Sequence, residues 1–175
     1  GVNYALILTS NAGLWAYSIG DTVKFTSLNP FRIRVTGRIK HFTSAFGEHV
    51  IAEEVEAAMA VALDQTNATI SEFHLAPMIE VNEGLPFHQW LVEFDQEPAN
   101  NASFAEILNS ELRKRNPYYD DLIVGNVLKT AQLESLPKGT FLRFMQSRGK
   151  LGGQNKIPRL SNDRSTADQI LAARI

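Results

Sequence analysis

The chain has 175 residues, a formal net charge of −2 and no cysteine; 44% of its residues are hydrophobic and 21% are charged. This length suits one domain, or one domain with a piece of another, and the apolar content permits a packed core. The small negative charge argues against general binding of nucleic acid or membrane surfaces. The lack of cysteine excludes disulfides, thiol catalysis and cysteine-ligated zinc. No apolar run reaches the roughly 20 residues that cross a bilayer.

The first residues, GVNYALILTS, contain no Met, no basic leader and no cleavage pattern of a signal peptide. They enter an apolar, β-rich run almost at once. We therefore expect the chain to be the C-terminal part of a longer protein. The absence of cysteine also fits a cytoplasmic protein.

Short strands are predicted in the first 45 residues, because β-branched and aromatic residues alternate there between turn-forming sequences. The predicted strands span residues 4–10, 14–19, 22–26, 31–36 and 41–45. A helix is predicted over residues 50–64, where apolar side chains recur on one face. Glutamates in its first turns suit the positive end of the helix dipole.

Strands and helices alternate in the rest of the chain. Strands are predicted over residues 70–81, 88–94 and 127–133, and helices over 101–115, 118–124, 139–146 and from 166 onwards. From residue 39 the order is strand, helix, strand, strand, helix, strand, which is the split βαβ pattern of a ferredoxin-like α+β domain. We assign residues 37–175 to this C-terminal domain and residues 1–36 to the β-rich end of a larger N-terminal domain and its linker.

The dipeptide Gly20-Asp21 separates two predicted strands. A carboxylate at a strand end can accept hydrogen bonds from a vicinal diol such as a ribose, and glycine lets a ligand come close. The other interpretation is a surface turn, and on the dipeptide alone the turn is the simpler one.

Two basic segments can bind anions. Arg32, Arg34, Arg38 and Lys40 fall in nine residues without an acid, and the last two follow Gly37 at a predicted bend. The loop RGKLGGQNKIPRL, residues 148–160, carries further cations beside glycines and can bring one to a phosphate or carboxylate. Exposed basic surface is the alternative for both segments.

The acidic run after Gly47-Glu48 is interpreted mainly as ordinary helix initiation, with an acid/base pair as the alternative. The histidines show no spacing typical of metal ligands, and no nucleophile-elbow motif is present, so neither a metal site nor a hydrolase triad is predicted. We interpret the histidines as structural or surface residues. The four are His41, His49, His74 and His88.

The order of the motifs YSIGD, GRIKHFTSAFGEHVIAEEVE and GGQNKIPRL resembles the C-terminal portion of adenylate-forming enzymes, which include acyl-CoA synthetases, luciferases and peptide-synthetase adenylation domains. The phrases RIRVTGRIKHF, FGEHV and QNKIPRL are similar to the auxin-responsive promoter family of acyl-acid amido synthetases, in the form found in bacteria. The resemblance extends along essentially the whole chain.

The resemblance implies roles for five residues. Asp21 would bind the ribose hydroxyls of ATP or AMP in a motif that begins at Tyr17, and Arg38 would lie near the ribose and phosphate. Lys40 falls at the hinge about which the C-terminal domain rotates. Lys156 matches the mobile lysine that reaches the α-phosphate and the substrate carboxylate; the context of QNKIPR favours it over Lys150.

Two details modify these roles. Ser18 stands where the family often has arginine after the tyrosine, so a contact made by that arginine is not expected here. Pro158 restricts the backbone two residues after Lys156 and can aim that lysine.

The implied activity is an ATP-dependent ligase, with Mg²⁺ in the full-length enzyme, that activates a carboxylic acid as acyl-AMP and transfers it to an amino acid. The family's phosphate loop and its adenine- and acyl-binding motifs have no match here, so the chain alone is expected to be inactive without its N-terminal domain. The alternatives are a thioester-forming ligase that uses coenzyme A, and a stand-alone ferredoxin-like module that binds a metabolite.

Overall fold

The computed structural model describes residues 2–39, 42–81, 83–149 and 156–174. The strands are β1 (Asn3–Leu8), β2 (Tyr17–Leu28), β3 (Phe31–Arg38), β4 (Phe42–Thr43), β5 (Val50–Ile51), β6 (Thr69–Met78), β7 (Phe87–Gln96) and β8 (Gln132–Leu136). The helices are α1 (Ala52–Thr66), α2 (Asn101–Arg115), α3 (Pro117–Val124), α4 (Thr140–Ser147) and α5 (Ser165–Ala172). The mixed α+β class predicted from the sequence is confirmed.

The first three strands form an antiparallel sheet in the order β1-β2-β3. The sequence predicted two strands separated by a turn at Gly20-Asp21, and that prediction is wrong. β2 runs without interruption through both residues, and Asp21 pairs with Arg38 on β3. Gly20 has φ +83°, and the β2–β3 register shifts between Thr22 and Val23, so the strand absorbs the irregularity instead of ending.

The central sheet has the order β6-β7-β8, with β6 and β7 antiparallel and β7 and β8 parallel. Helices α2 and α3 make the crossover between the parallel strands, as such a connection requires. Most of β7 is buried because helices cover both faces of the sheet. The small pair β4–β5 forms a separate sheet.

Two apolar clusters stabilise the central sheet. One contains Trp90 and Phe73 from the strands, with buried side chains from α1, α2 and α3. The other lies across the sheet, where Leu91 packs with residues of α4 and α5. Alternation along β7 explains the division, since successive side chains point to opposite faces.

The order of elements from α1 to β8 is the predicted helix, strand, strand, helix, helix, strand, but two short strands, β4 and β5, precede α1 where one strand was predicted over residues 41–45. The strand predicted over residues 127–133 is displaced, because β8 begins only at Gln132. The amides of Val127 and Leu128 both donate to the carbonyl of Leu122, so these apolar residues close the turn after α3. Apolar composition alone could not distinguish this turn, in which Leu128 is buried and Val127 exposed, from a strand.

Candidate functional site

Asp21 and Arg38, which lie 17 positions apart in the sequence, are neighbours in the structure. The β2–β3 register places them opposite each other, and Arg38 Nε lies 3.2 Å from Asp21 Oδ1. The side chain of Asp21 is 20% exposed and that of Arg38 is 64% exposed. The Ile39 amide donates to the Gly20 carbonyl at 2.8 Å, which keeps the two strands together at this end. A half-exposed cation and a partly exposed carboxylate therefore stand side by side.

Arg38 also lines a groove of about 1030 Å³. Four parts of the chain form its walls: the end of β3, the start of α1, β6, and the segment after the last glycine-rich loop. The lining residues are Val35, Thr36, Gly37, Arg38, Ala52, Glu56, Glu72, Lys156, Ile157, Pro158 and Arg159. The groove thus brings together two predicted site residues, Arg38 and Lys156, from the two ends of the chain.

Lys156 is exposed in this groove. It makes no ion pair with another residue that the structure describes. An exposed ammonium on a flexible side chain can reach an anion in the groove without first breaking a described salt bridge.

Residues 158–161 lie along the free edge of β6. The Leu75 amide donates to the Arg159 carbonyl at 2.9 Å, and the Ser161 amide donates to the Leu75 carbonyl at 3.0 Å. Leu160 pairs with Leu75 as an isolated parallel bridge and is buried. This short edge pairing anchors the chain just after Lys156.

Arg159 adds a side-chain anchor that sequence reasoning missed. Its guanidinium pairs with Glu72, lies 3.4 Å from Glu56 and stacks 4.7 Å from the ring centroid of Phe73. The groove's two carboxylates are therefore both paired with Arg159. The residue lies inside the quoted phrase QNKIPRL, which was the signal that could have found it.

The other predicted site residues are less closely connected to the groove. Tyr17 begins β2, pairs with Leu8 and is 51% exposed; neither it nor Asp21 lines the groove. Lys40 and Lys150 lie outside the described residues, so the predicted hinge has no structural description.

Glu48 is fully buried and lies before α1, apart from the acidic run that begins the helix. It accepts a hydrogen bond from the Phe46 amide at 2.9 Å and lies 2.8 Å from His88 Nε2. Burial opposes its ionisation, yet the hydrogen bond and charge of His88, with the backbone amides, outweigh burial and lower the pKa of Glu48. This pair fixes the FGEHV loop; Glu53 and Glu54 do occupy the first turn of α1.

Among the described residues, no group of three or more His, Asp or Glu side chains could hold a metal ion. In the same part of the chain, no helix has the length and apolar character needed to cross a membrane. His74 and His88 are both fully buried.

Family comparison agrees with the order of the motifs. The model of the GH3 family C-terminal domain matches residues 53–165, more than half of the chain. The chain belongs to the GH3 family. The model of the GH3 family central domain matches residues 1–38. The resemblance to acyl-acid amido synthetases stated from the sequence is thus confirmed at the level of the family; its bacterial form stays a prediction.

Solved structures of GH3 proteins share this fold. The chain is similar to "GH3.15 acyl acid amido synthetase", with a TM-score of 0.73 and 16% identity over 99% of this chain and 34% of that one. It is also similar to "AtGH3.15 acyl acid amido synthetase in complex with 2,4-DB", with a TM-score of 0.72 and 16% identity over 99% of this chain and 33% of that one. The chain therefore spans about a third of the length of these structures. No curated protein matches the sequence.

Proposed function

We propose that the chain is the C-terminal part of an ATP-dependent ligase that activates a carboxylic acid as acyl-AMP and transfers the acyl group to an amino acid. The observation that carries this proposal is the groove that Arg38 and Lys156 line together. Membership of the GH3 family, and a fold like that of an acyl acid amido synthetase, support the ligase class. We expect the enzyme to act in the cytoplasm.

The first step brings two anions together. A carboxylate oxygen attacks the α-phosphorus of ATP, the bond to the bridging oxygen breaks, and pyrophosphate leaves with the bonding electrons. Cations are needed to offset the charge that develops during this step. We assign that task to Lys156, which is exposed in the groove and has no described ion pair there.

The second step requires space beside the acyl-adenylate. The amine of the amino acid attacks the acyl carbonyl, AMP leaves, and the nitrogen loses a proton as the amide forms. A lysine that can withdraw from the phosphate makes room for this amine. The exposure of Lys156 supports such movement, and we retain Lys40 as the proposed hinge.

Asp21, Arg38 and Tyr17 are proposed to bind the nucleotide. The Asp21 carboxylate can accept both ribose hydroxyls, and the Arg38 guanidinium can contact ribose or phosphate. Their mutual ion pair has a 64% exposed partner, and such pairs contribute at most about 1 kcal/mol, so a nucleotide can replace it at small cost. Tyr17 lies on the same strand as Asp21 and is half-exposed.

Mg²⁺ is expected to accompany ATP in the full-length enzyme, where it supplies positive charge to the phosphates. The described residues offer no cluster of three or more ligating side chains, so none of them is assigned to the metal. We propose that the ATP phosphates and the remainder of the protein hold it.

We further propose that residues 1–36 complete a preceding domain and that residues 37–175 form a separate lid domain. The sheet β1-β2-β3 exposes many large apolar side chains, which is unusual for a surface without a covering partner. On the strands they include Ile7, Leu28, Phe31 and Val35, and beside the strands Val2 and Trp15 are exposed as well, Trp15 by 85%.

The role of Lys156 is testable in the full-length protein. Lys156→Ala is expected to slow acid-dependent ATP–pyrophosphate exchange by about 10²–10³-fold, as removal of a single electrostatic contact to a transition state commonly does. ATP affinity, measured by calorimetry, should change far less.

Lys138→Ala is the matched control, since Lys138 donates to the Asp95 carbonyl outside the groove. Equal losses of exchange rate and ATP affinity in Lys156→Ala would count against the proposal. Mass spectrometry of products then decides the acceptor: an amide with an amino acid supports the proposed reaction, and a thioester with coenzyme A contradicts it.

A further inference from the structure

His74 is a fully buried histidine on β6, one residue before the strand position that pairs with the anchored segment. Its Nδ1 lies 2.7 Å from the Pro158 carbonyl oxygen, and its Nε2 lies 3.1 Å from Ser161 Oγ. Both ring nitrogens therefore contact the segment that follows Lys156. No motif in the sequence indicated these contacts.

The Pro158 carbonyl oxygen, as the acceptor, determines the tautomer of the His74 ring. A carbonyl oxygen can only accept, so Nδ1 carries the hydrogen and donates it to Pro158. Burial lowers the pKa of His74 to about 4, and the charge of Arg164 lowers it too, while the bond to Pro158 and the charge of Asp163 oppose this shift. His74 is therefore neutral near pH 7, and its Nε2 is an acceptor that lies 3.1 Å from the Ser161 hydroxyl. That hydroxyl also lies 2.8 Å from the Asp163 carbonyl, which competes for its hydrogen.

The hydrogen bond from His74 holds the segment at a residue that makes no described backbone–backbone hydrogen bond. The Leu75 backbone holds Arg159 and Ser161, but Pro158 has no amide hydrogen and can be anchored only through its carbonyl. That carbonyl is the described hydrogen-bonded anchor nearest to Lys156, while the side chain of Ile157 packs against the apolar cluster around Leu91. Together with the packing of Ile157, the position of the Pro158 carbonyl sets where Lys156 leaves the sheet edge and enters the groove.

We infer that His74 is a positioning residue for Lys156: the Nδ1–H of His74 holds the Pro158 carbonyl and thereby directs the lysine side chain into the groove that Arg38 shares. His74 itself does not line the groove and acts only through the segment. This inference rests on the proposed adenylation role of Lys156.

Replacing His74 with asparagine or with glutamine distinguishes the contribution of its Nδ1 contact from that of its Nε2 contact. Asparagine can present an N–H close to the position of Nδ1, whereas glutamine presents one close to that of Nε2. In the full-length protein, H74N should therefore retain the bond to Pro158 and H74Q should lose it. Each variant keeps a polar group in the buried site, which limits the folding cost of the substitution.

The readout is ATP–pyrophosphate exchange with separate kcat and KM for ATP. H74Q is expected to lose about tenfold in kcat, equivalent to about 1.4 kcal/mol, with KM for ATP little changed. H74N should stay close to wild type. S161A, which removes the Nε2 partner and the contact with the Asp163 carbonyl but leaves the bond to Pro158, should also stay close to wild type.

Hydrogen exchange measured on the peptide covering residues 156–162 is the second readout. Faster exchange in H74Q than in H74N, with unchanged exchange over α1, supports a local loss of anchoring. Equal activity and equal exchange in the two variants overturn the inference. An equal rise of KM for ATP in both variants also overturns it, since that result indicates a general structural role.

Lys156→Ala measured in parallel separates the two proposals. If Lys156→Ala is impaired and H74Q matches wild type, the positioning role fails while the adenylation role stands. If Lys156→Ala retains full exchange activity, the adenylation role fails and the positioning role loses its basis, whatever H74Q does.

Discussion

At the scale of single residues, the structural roles of three side chains are set by contacts with residues far away in sequence. Asp21 meets Arg38 across two strands, Glu48 meets His88 in the core, and His74 meets the segment after Lys156. Each contact depends on register or burial, neither of which a local pattern reveals. In the sequence, these side chains were indicated only by the family-like phrases that contain Asp21, Arg38 and Glu48.

The buried His74 makes stability depend on pH. The ordinary pKa of histidine is 6.5, and in the folded chain that of His74 is about 4. Between these values the unfolded chain binds more protons, so the free energy of unfolding falls as pH falls from about 6.5 to 4. At about 1.36 kcal/mol for each pKa unit, the loss amounts to about 3 kcal/mol.

Urea unfolding at pH 7, 5 and 4 measures this effect, with H74N as the control that cannot titrate at this position. The wild type should lose more stability than H74N across this range. Glu48 has a lowered pKa, so its contribution is lost only as pH falls through that lower value, and it is lost in both proteins. Parallel pH profiles for wild type and H74N would contradict the prediction.

At the scale of elements, β2 and the edge of β6 determine the geometry of the candidate site. β2 continues through Gly20 and places Asp21 opposite Arg38, whereas a turn at this point would have separated them. The edge of β6 holds residues 158–161 and so fixes the backbone next to Lys156, from which the lysine side chain extends. The site is thus built by two strand pairings.

Gly20→Ala tests the role of β2. Gly20 has φ +83° and a Cβ there would meet nothing within 4 Å, so the cost is backbone strain of about 1–2 kcal/mol. Because the strain is relieved by moving Asp21, ATP binding in the full-length protein should weaken as well. Calorimetric titration with ATP measures this change.

Gly13→Ala is the matched control for this experiment. Gly13 has φ +97° and equally open surroundings, but it lies in the β1–β2 connection, apart from the candidate site. Similar losses of stability in both variants, with ATP binding weakened only by Gly20→Ala, are expected. Unchanged ATP affinity in Gly20→Ala would indicate that Asp21 does not contact the nucleotide.

At the scale of the whole molecule, the chain carries one wall of the proposed site. Arg38 and Lys156 share an open groove, while the chain spans about a third of the length of the similar solved structures. The exposed apolar side chains of the β1-β2-β3 sheet fit this view of an incomplete surface. Adenylation is therefore proposed for the full-length protein.

The isolated 175-residue chain is expected to show no acid-dependent ATP–pyrophosphate exchange. The phosphate loop and acid pocket that the family resemblance implies have no counterpart in its sequence. Full-length protein assayed under the same conditions provides the positive control. If the isolated chain shows more ATP–pyrophosphate exchange than the same chain with Lys156→Ala, two proposals are contradicted. These are that the chain carries an incomplete site and that residues 37–175 form a lid domain.

The sequence by itself determined the α+β class, the order of the elements from α1 onwards and the family, because these follow from local hydrophobic periodicity and from contiguous motifs such as QNKIPRL. Only the tertiary structure decided that β2 passes through Gly20-Asp21, that Glu48 is buried against His88, and that His74 holds the Pro158 carbonyl. The physical reason is that strand register and burial are set by contacts between distant parts of the chain, which override a local turn signal such as Gly20-Asp21.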